Sequence, residues 1–113
     1  NKVNRILNEN KFSGDECILI LRTLLFKTKR LLELSKKNLN SKNIDQTISS
    51  FKPPIFWKEK QIVKNQIMSW KVNEVENLII NIKNTEINVK KHASISLYLV
   101  LDFILTTAGK ANN

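Results

Sequence analysis

The sequence predicts an all-α protein, a compact bundle of five or six helices. Only two glycines and two prolines interrupt its 113 residues, so few positions force the chain to turn. Apolar residues recur three and four positions apart over long stretches, which is the spacing of one helix face. Strand patterns have almost no support. The chain can bury one core but is too short for two ordinary domains, so we expect a single helical domain, 1–113.

The first part of the chain predicts two helices and a polar connector. Apolar spacing within 3–12 indicates a short first helix, and Ser13-Gly14-Asp15-Glu16 has the S-x-x-E form of a capping box that begins a second. The second helix should run to about Lys37, with 38–43 as the connector. Its predicted core face contains Cys17, Ile18, Leu21, Leu24, Leu25, Leu31 and Leu32, and its predicted solvent face contains Arg22, Lys29, Glu33 and Lys36.

A short third helix is predicted around 44–51, where two prolines end it. Pro54 suits the first turn of a fourth helix, 54–69, because a missing N–H has no helical partner there. Within that helix an inward-facing stripe is expected at Phe56, Val63, Ile67 and Trp70. This phase turns Trp57 about 100° away from the core, with Lys60 and Lys64 on its side.

Two further helices complete the predicted bundle. Asn73 followed by Glu76 should cap a fifth helix, which closes at Lys90-Lys91-His92. Its predicted core residues are Val75, Leu78, Ile79, Ile82 and Val89. The sixth, 94–108, is apolar almost all round and at about 15 residues is short of a membrane span. We therefore expect it to be buried by its own domain and by a neighbouring subunit, with no membrane partner.

Composition limits the function. Nineteen Lys and Arg against ten Asp and Glu give a net charge of +9, which suits a polyanion such as nucleic acid. Richness in Asn, Ile and Lys is also typical of an AT-rich genome, so charge alone leaves both explanations open. The lone Cys17 cannot form an intramolecular disulfide, which favours a reducing cytoplasm.

No motif for catalysis or for a cofactor is present. The sequence lacks a phosphate-binding loop, a G-x-G-x-x-G, an H-E-x-x-H and any Cys/His cluster with metal-ligand spacing. His92 is the only histidine, and nothing in the spacing pairs it with a nucleophile. We expect no catalytic residues, no metal and no cofactor in this chain.

Three segments in order carry a family resemblance: "LRTLLFKTKRLLEL", "KPPIFWKEKQIVKNQIMSW" and "EINVKK", followed by an apolar terminal helix. The chain resembles the C-terminal domain of the delta subunit of bacterial DNA polymerase III. The resemblance implies a role in DNA replication, as one member of the collar of the clamp loader, which loads the sliding clamp onto primed DNA. It also implies a longer protein, whose preceding AAA+-type domains meet the clamp and, in this subunit, do not hydrolyse ATP. The start at Asn1, with no leader pattern, agrees with a piece of a longer chain.

Candidate site residues follow from the resemblance and the helix pattern. The resemblance matches Trp57 to a collar tryptophan near the template strand, and a second aromatic of the family would fall near His92 or Ala93. DNA-contact candidates are Trp57, Lys58, Lys60, Lys64 and His92; subunit-interface candidates are Ile95, Tyr98, Leu99 and Phe103. Two alternatives stay open: Trp57 as a core residue beneath the Pro53-Pro54 turn, and the Lys90-Lys91-His92 turn as a helix cap only. The alternative function is a free-standing basic helical module that binds nucleic acid.

Overall fold

The structure, a computed structural model, describes residues 14–111, and within this range it contains five α-helices and no strand. The helices are α1 (Gly14–Ser41), α2 (Ile44–Ser50), α3 (Lys60–Ser69), α4 (Val72–Lys91) and α5 (Ser96–Ala111). Short 3₁₀ turns, Trp57–Glu59 and Ala93–Ile95, precede α3 and α5. The all-α prediction is confirmed. The helix predicted at 3–12 and the Ser13 of the predicted capping box lie outside the described residues.

The chain divides into two compact units. The described part of the first unit is 14–25 with 81–111, and the second unit is Phe26–Ile80. The long helices α1 and α4 each contribute residues to both units. The sequence-based expectation of a single domain stays a prediction.

The second unit has an apolar core built from α1, α2, α3 and the start of α4. Its buried members are Leu31, Leu34, Ile48, Phe51, Ile55, Val63, Ile67 and Val75, with Leu32, Ile44 and Trp70 packed against them. Most of these positions lie three, four or seven apart within a helix, which places them on one face. The predicted inward positions Val63 and Ile67 are confirmed as buried.

In the first unit, buried apolar side chains come from α1, α4 and α5: Cys17, Leu21, Ile82, Val89 and Val100.

An ion pair also joins α1 to α4, with Arg22 Nε 3.3 Å from Glu86 Oε1. Lys90 Nζ lies 3.2 Å from the other carboxylate oxygen of Glu86. Burial alone would raise the pKa of Glu86, but the hydrogen bonds and charges of Lys90 and Arg22 outweigh it and lower that pKa. Burial, with the neighbouring Glu16 charge, raises the pKa of the Cys17 thiol.

The connector predicted at 38–43 was wrong, because α1 continues to Ser41. Only Lys42 and Asn43 separate α1 from α2. Lys42 takes a left-handed backbone with φ of 58°, and its N–H donates to the Asn38 carbonyl at 2.9 Å. The Asn43 side chain then accepts from the Gln46 N–H at 3.1 Å, which caps α2. The two helices thus meet in a tight turn.

The start predicted for the fourth helix was also wrong. α3 begins at Lys60, and Pro54 lies before the 3₁₀ turn and outside any helix. Phe56 has a polyproline-like extended backbone (φ −56°, ψ 131°), in which consecutive side chains are turned about 120° from each other. Ile55 is therefore buried, while Phe56, predicted to face inward, is 55% exposed.

The N-cap of α4 lies two residues earlier than the sequence predicted. The Lys71 N–H donates to Glu74 Oε1 at 2.8 Å, and the Lys71 carbonyl accepts from the Val75 N–H at 3.0 Å. Lys71 is thus the N-cap residue, and Asn73, predicted to be the cap, lies inside the helix. The core residues predicted for this helix are nonetheless inward-facing, with Val75, Ile79, Ile82 and Val89 buried and Leu78 half-buried.

Candidate nucleic-acid and protein-binding surfaces

Phe56, Trp57 and Lys58, here called the aromatic turn, form an exposed feature of the second unit. Trp57 is 69% exposed, so the alternative that it fills the core beneath the prolines does not hold. The Phe56 and Trp57 ring centroids lie 5.9 Å apart with an interplanar angle of 53°. Ile55, immediately before the turn, is buried in the core, and the chain leaves the core after this residue. Two large aromatic rings are therefore presented to solvent side by side.

The three lysines at and after the aromatic turn differ in their contacts. Lys58 Nζ lies 5.4 Å from the centroid of the Trp57 ring, in the range of a cation–π contact. Lys60 is exposed, and its backbone N–H donates to the Trp57 carbonyl. Lys64 instead lies 3.1 Å from Asp45 Oδ1 and joins α3 to α2. Of these three predicted lysines, Lys58 places its charge beside the ring and Lys60 is exposed immediately after the turn, whereas the charge of Lys64 is balanced by Asp45.

A carboxylate missed by the sequence reasoning fixes the base of the aromatic turn. Glu59 Oε1 lies 3.4 Å from Lys27 Nζ and 3.7 Å from Arg30 Nη2, both on α1. The Arg30 side chain is only 15% exposed, so this pair is better shielded from water than a typical surface ion pair. In the sequence, Lys58-Glu59-Lys60 is a mixed-charge run, typical of a solvated helix face. No local signal shows that its partners lie about 30 residues earlier.

His92, the remaining DNA-contact candidate, belongs to the first unit. It is exposed, and its N–H donates to the Asn88 carbonyl at 2.9 Å at the end of α4. The last turn of α4 contains Lys90 and Lys91, where positive charge opposes the negative end of the helix dipole. The geometry therefore agrees with the helix-end interpretation of this basic turn. The aromatic turn lies in the other unit.

α5 exposes one face that is apolar apart from Asp102, and the neighbouring subunit expected to cover this helix stays a prediction. Tyr98 and Leu105 are 70% and 69% exposed. Tyr98, Asp102 and Leu105 lie at positions i, i+4 and i+7, which places them on one stripe of the helix. Val100 is buried on the opposite side. Among the predicted interface residues, Ile95 and Tyr98 are exposed, whereas Leu99 and Phe103 are half-buried. The open part of this helix is therefore centred on Tyr98 and Leu105.

A metal centre and a membrane span are the two other kinds of site that concern residues 14–111. No group of three or more His, Cys, Asp or Glu side chains in this range could hold a metal ion. No single helix there is long and apolar enough to cross a membrane; Val72–Lys91 and Ala93–Gly109 meet that length and composition only as a pair, joined by a 115° bend.

Comparison of the chain with protein-family models, with curated proteins and with solved structures found no match. The proposals below therefore depend on the residues of this chain, on their geometry and on the sequence resemblance.

Proposed function

We propose that this chain is a collar domain of a clamp-loader delta subunit of bacterial DNA polymerase III, working in DNA replication in the cytoplasm. Its role is assembly: it holds the subunit among sister subunits while the loader places the sliding clamp on primed DNA. The domain itself carries no catalysis. Contact with the clamp would belong to the AAA+-type portion that the resemblance implies.

The observation that carries this proposal is the exposed apolar face of α5. Between 94 and 109 the only charged residue is Asp102, yet Tyr98 and Leu105 are both more than two-thirds exposed. Large exposed apolar patches mark interaction sites in soluble proteins, and tyrosine is enriched among the residues that dominate interface energies. An interface with a neighbouring helical domain would cover this face.

The aromatic turn supports a second, weaker contact with primer–template DNA. A base can stack on the exposed Trp57 ring, and such stacking contributes about 1–3 kcal/mol per base. Lys58 and Lys60 add attraction to phosphate, which falls with salt concentration. The net charge of +9 favours the same partner. These features also suit a free-standing nucleic-acid-binding module, so the two functions must be separated by experiment.

The test is assembly of the loader with a full-length protein altered on α5. Tyr98→Ser with Leu105→Ser removes the exposed apolar groups and leaves the buried Val100 side in place. Met68→Ser, which changes an equally exposed apolar side chain on α3, is the matched control. We expect the double variant to lose its sister subunits in a pull-down while its circular dichroism spectrum is retained, and the control to keep them. Unchanged assembly of the double variant would overturn α5 as the collar interface, whereas a parent protein that binds no sister subunit would overturn the collar proposal and favour the free-standing module.

A further inference from the structure

We propose that Glu59 is a positioning residue: its ion pairs to α1 hold the aromatic turn so that the Trp57 ring is ready to stack on a nucleobase. The inference rests on the proposed nucleic-acid contact and deepens it. Glu59 does not itself touch the nucleic acid, because a carboxylate would repel phosphate. It acts through the backbone that carries Trp57.

The turn is fixed at two levels. In the backbone, the Glu59 N–H donates to the Phe56 carbonyl at 2.8 Å, and the Lys60 N–H donates to the Trp57 carbonyl. These bonds close a three-residue 3₁₀ turn, which is a weak element without tertiary support. Through its side chain, Glu59 then forms ion pairs with two residues of α1: Arg30, whose side chain is largely buried, and Lys27, which lies one turn earlier.

A fixed ring matters for affinity. Binding loses free energy whenever a side chain or a loop must be ordered as the ligand arrives, and pre-ordering the site removes that loss. Trp57 is exposed, and its ring lies against Phe56 and Lys58, which belong to the same turn. Its orientation therefore depends on the backbone of the turn, and Glu59 is the residue that ties this backbone to a long helix.

Charge and positioning predict opposite effects of removing this carboxylate. Glu59→Gln raises the net charge from +9 to +10, and it releases Lys27 and Arg30 from their acidic partner. Counterion release and phosphate attraction alone would then strengthen binding to nucleic acid. If Glu59 positions Trp57, the same substitution weakens binding despite the added charge.

A matched control exists on α1 in the same unit. Glu33 pairs with Lys37 at 3.3 Å on an exposed face, and Glu33→Gln makes the same change in net charge. It leaves the aromatic turn and its anchor untouched. The reciprocal exchange, Glu59→Arg with Arg30→Glu, restores an ion pair at the anchor and keeps the net charge at +9.

The experiment measures binding of the chain to a fluorescent oligothymidylate of about 12 nucleotides, a length within the range of single-strand sites, by anisotropy at low salt. Circular dichroism melting checks that each variant is folded. We expect Glu59→Gln to weaken binding of the oligothymidylate about fivefold, which is a large part of the affinity that Trp57→Ala removes. Glu33→Gln should bind slightly more tightly than the parent, and the reciprocal exchange should recover most of the lost affinity.

The outcomes separate the two proposals. If Trp57→Ala leaves affinity unchanged, the nucleic-acid contact fails and the positioning role fails with it. If Trp57→Ala weakens binding but Glu59→Gln tightens it as Glu33→Gln does, the contact stands and the positioning role is overturned. Failure of the reciprocal exchange to recover affinity, with the fold intact, would also count against the ion pair as the positioning device.

Discussion

Lys42 directly follows the last residue of α1. Its backbone has a conformation that residues other than glycine rarely adopt. Its φ of 58° lies in the left-handed region, where a Cβ atom approaches the following carbonyl oxygen and costs about 1–2 kcal/mol. The turn tolerates this because the Lys42 N–H satisfies the Asn38 carbonyl and because Asn43 caps α2 immediately afterwards. The connection between the two helices therefore contains a local strain that sequence composition did not reveal.

Replacing this residue by glycine should stabilise the protein. Lys42→Gly relieves the left-handed strain but adds entropy to the unfolded chain, so we expect a net gain of up to about 1 kcal/mol in the free energy of unfolding. Lys36→Gly, at an exposed position inside α1, is the control and should cost about 1 kcal/mol. Urea unfolding followed by circular dichroism measures both. A Lys42→Gly variant as unstable as Lys36→Gly would contradict the strained turn.

Glu86 gives a prediction about pH. Its pKa is lowered in the folded chain, so its contribution to stability is present above the ordinary pKa of glutamate and is lost as pH falls through the lowered value. Glu86→Gln should therefore destabilise the protein at pH 7 by up to about 1 kcal/mol, the upper range for partly exposed pairs. The difference between variant and parent should shrink toward about pH 3.

Urea midpoints measured across this pH range check the prediction. Glu33→Gln is a suitable reference, because both members of its pair with Lys37 are more than half exposed, and it should change stability little. A Glu86→Gln deficit that stays constant from pH 7 to about pH 3 would show that the ion pairs with Arg22 and Lys90 are not its source.

α3 begins at Lys60 and not at Pro54 as predicted, and this later start changes which residues of the candidate site are buried. The helical period continued backward from Val63 and Ile67 would bury Phe56. Because the helix begins only at Lys60 and Phe56 is extended, Ile55 takes the buried position instead. Between α2 and the 3₁₀ turn, Phe51 and Ile55 are held by core packing and not by a helical pattern.

Trp57 should consequently contribute little to stability. We expect Trp57→Ala to change the free energy of unfolding by less than about 0.5 kcal/mol, as at other exposed positions. Ile55→Ala, two residues earlier and buried, should cost about 2–5 kcal/mol. The two variants are compared by urea unfolding. Equal losses would mean that the tryptophan ring is packed into the core.

The spacing of apolar residues made much of the fold predictable from sequence. The periodic apolar positions of α1 and α4 identified core residues such as Leu21 and Val89, because in a long helix the spacing alone fixes which side is covered. Helix ends were less predictable. The end of α1 depends on the left-handed Lys42, and the start of α4 depends on Glu74 reaching back to Lys71, both of which are settled by local geometry.

The candidate site was predictable only in part. The aromatic and basic composition of 56–60 indicated a binding surface, but the partners of Glu59 and Lys64 lie on other helices. Sequence spacing carries no information on such pairings. The apolar composition of α5 predicted that its own domain and a neighbouring subunit together cover it. Within the chain Tyr98 and Leu105 are open to solvent, because composition does not say how much of a helix its own fold can cover, and the covering subunit stays a prediction.

For the whole molecule, the collar function depends on what covers α5 in the assembled loader. The most direct measurement is photo-crosslinking from Tyr98→p-benzoylphenylalanine in the full-length protein, reconstituted with its sister subunits. Met68→p-benzoylphenylalanine, equally exposed on α3, is the reference position. We expect the label at position 98 to crosslink to a sister subunit, and to do so far more than the label at position 68. An assembled loader in which position 98 reaches no sister subunit, or a full-length protein that does not enter the loader, would contradict the collar function.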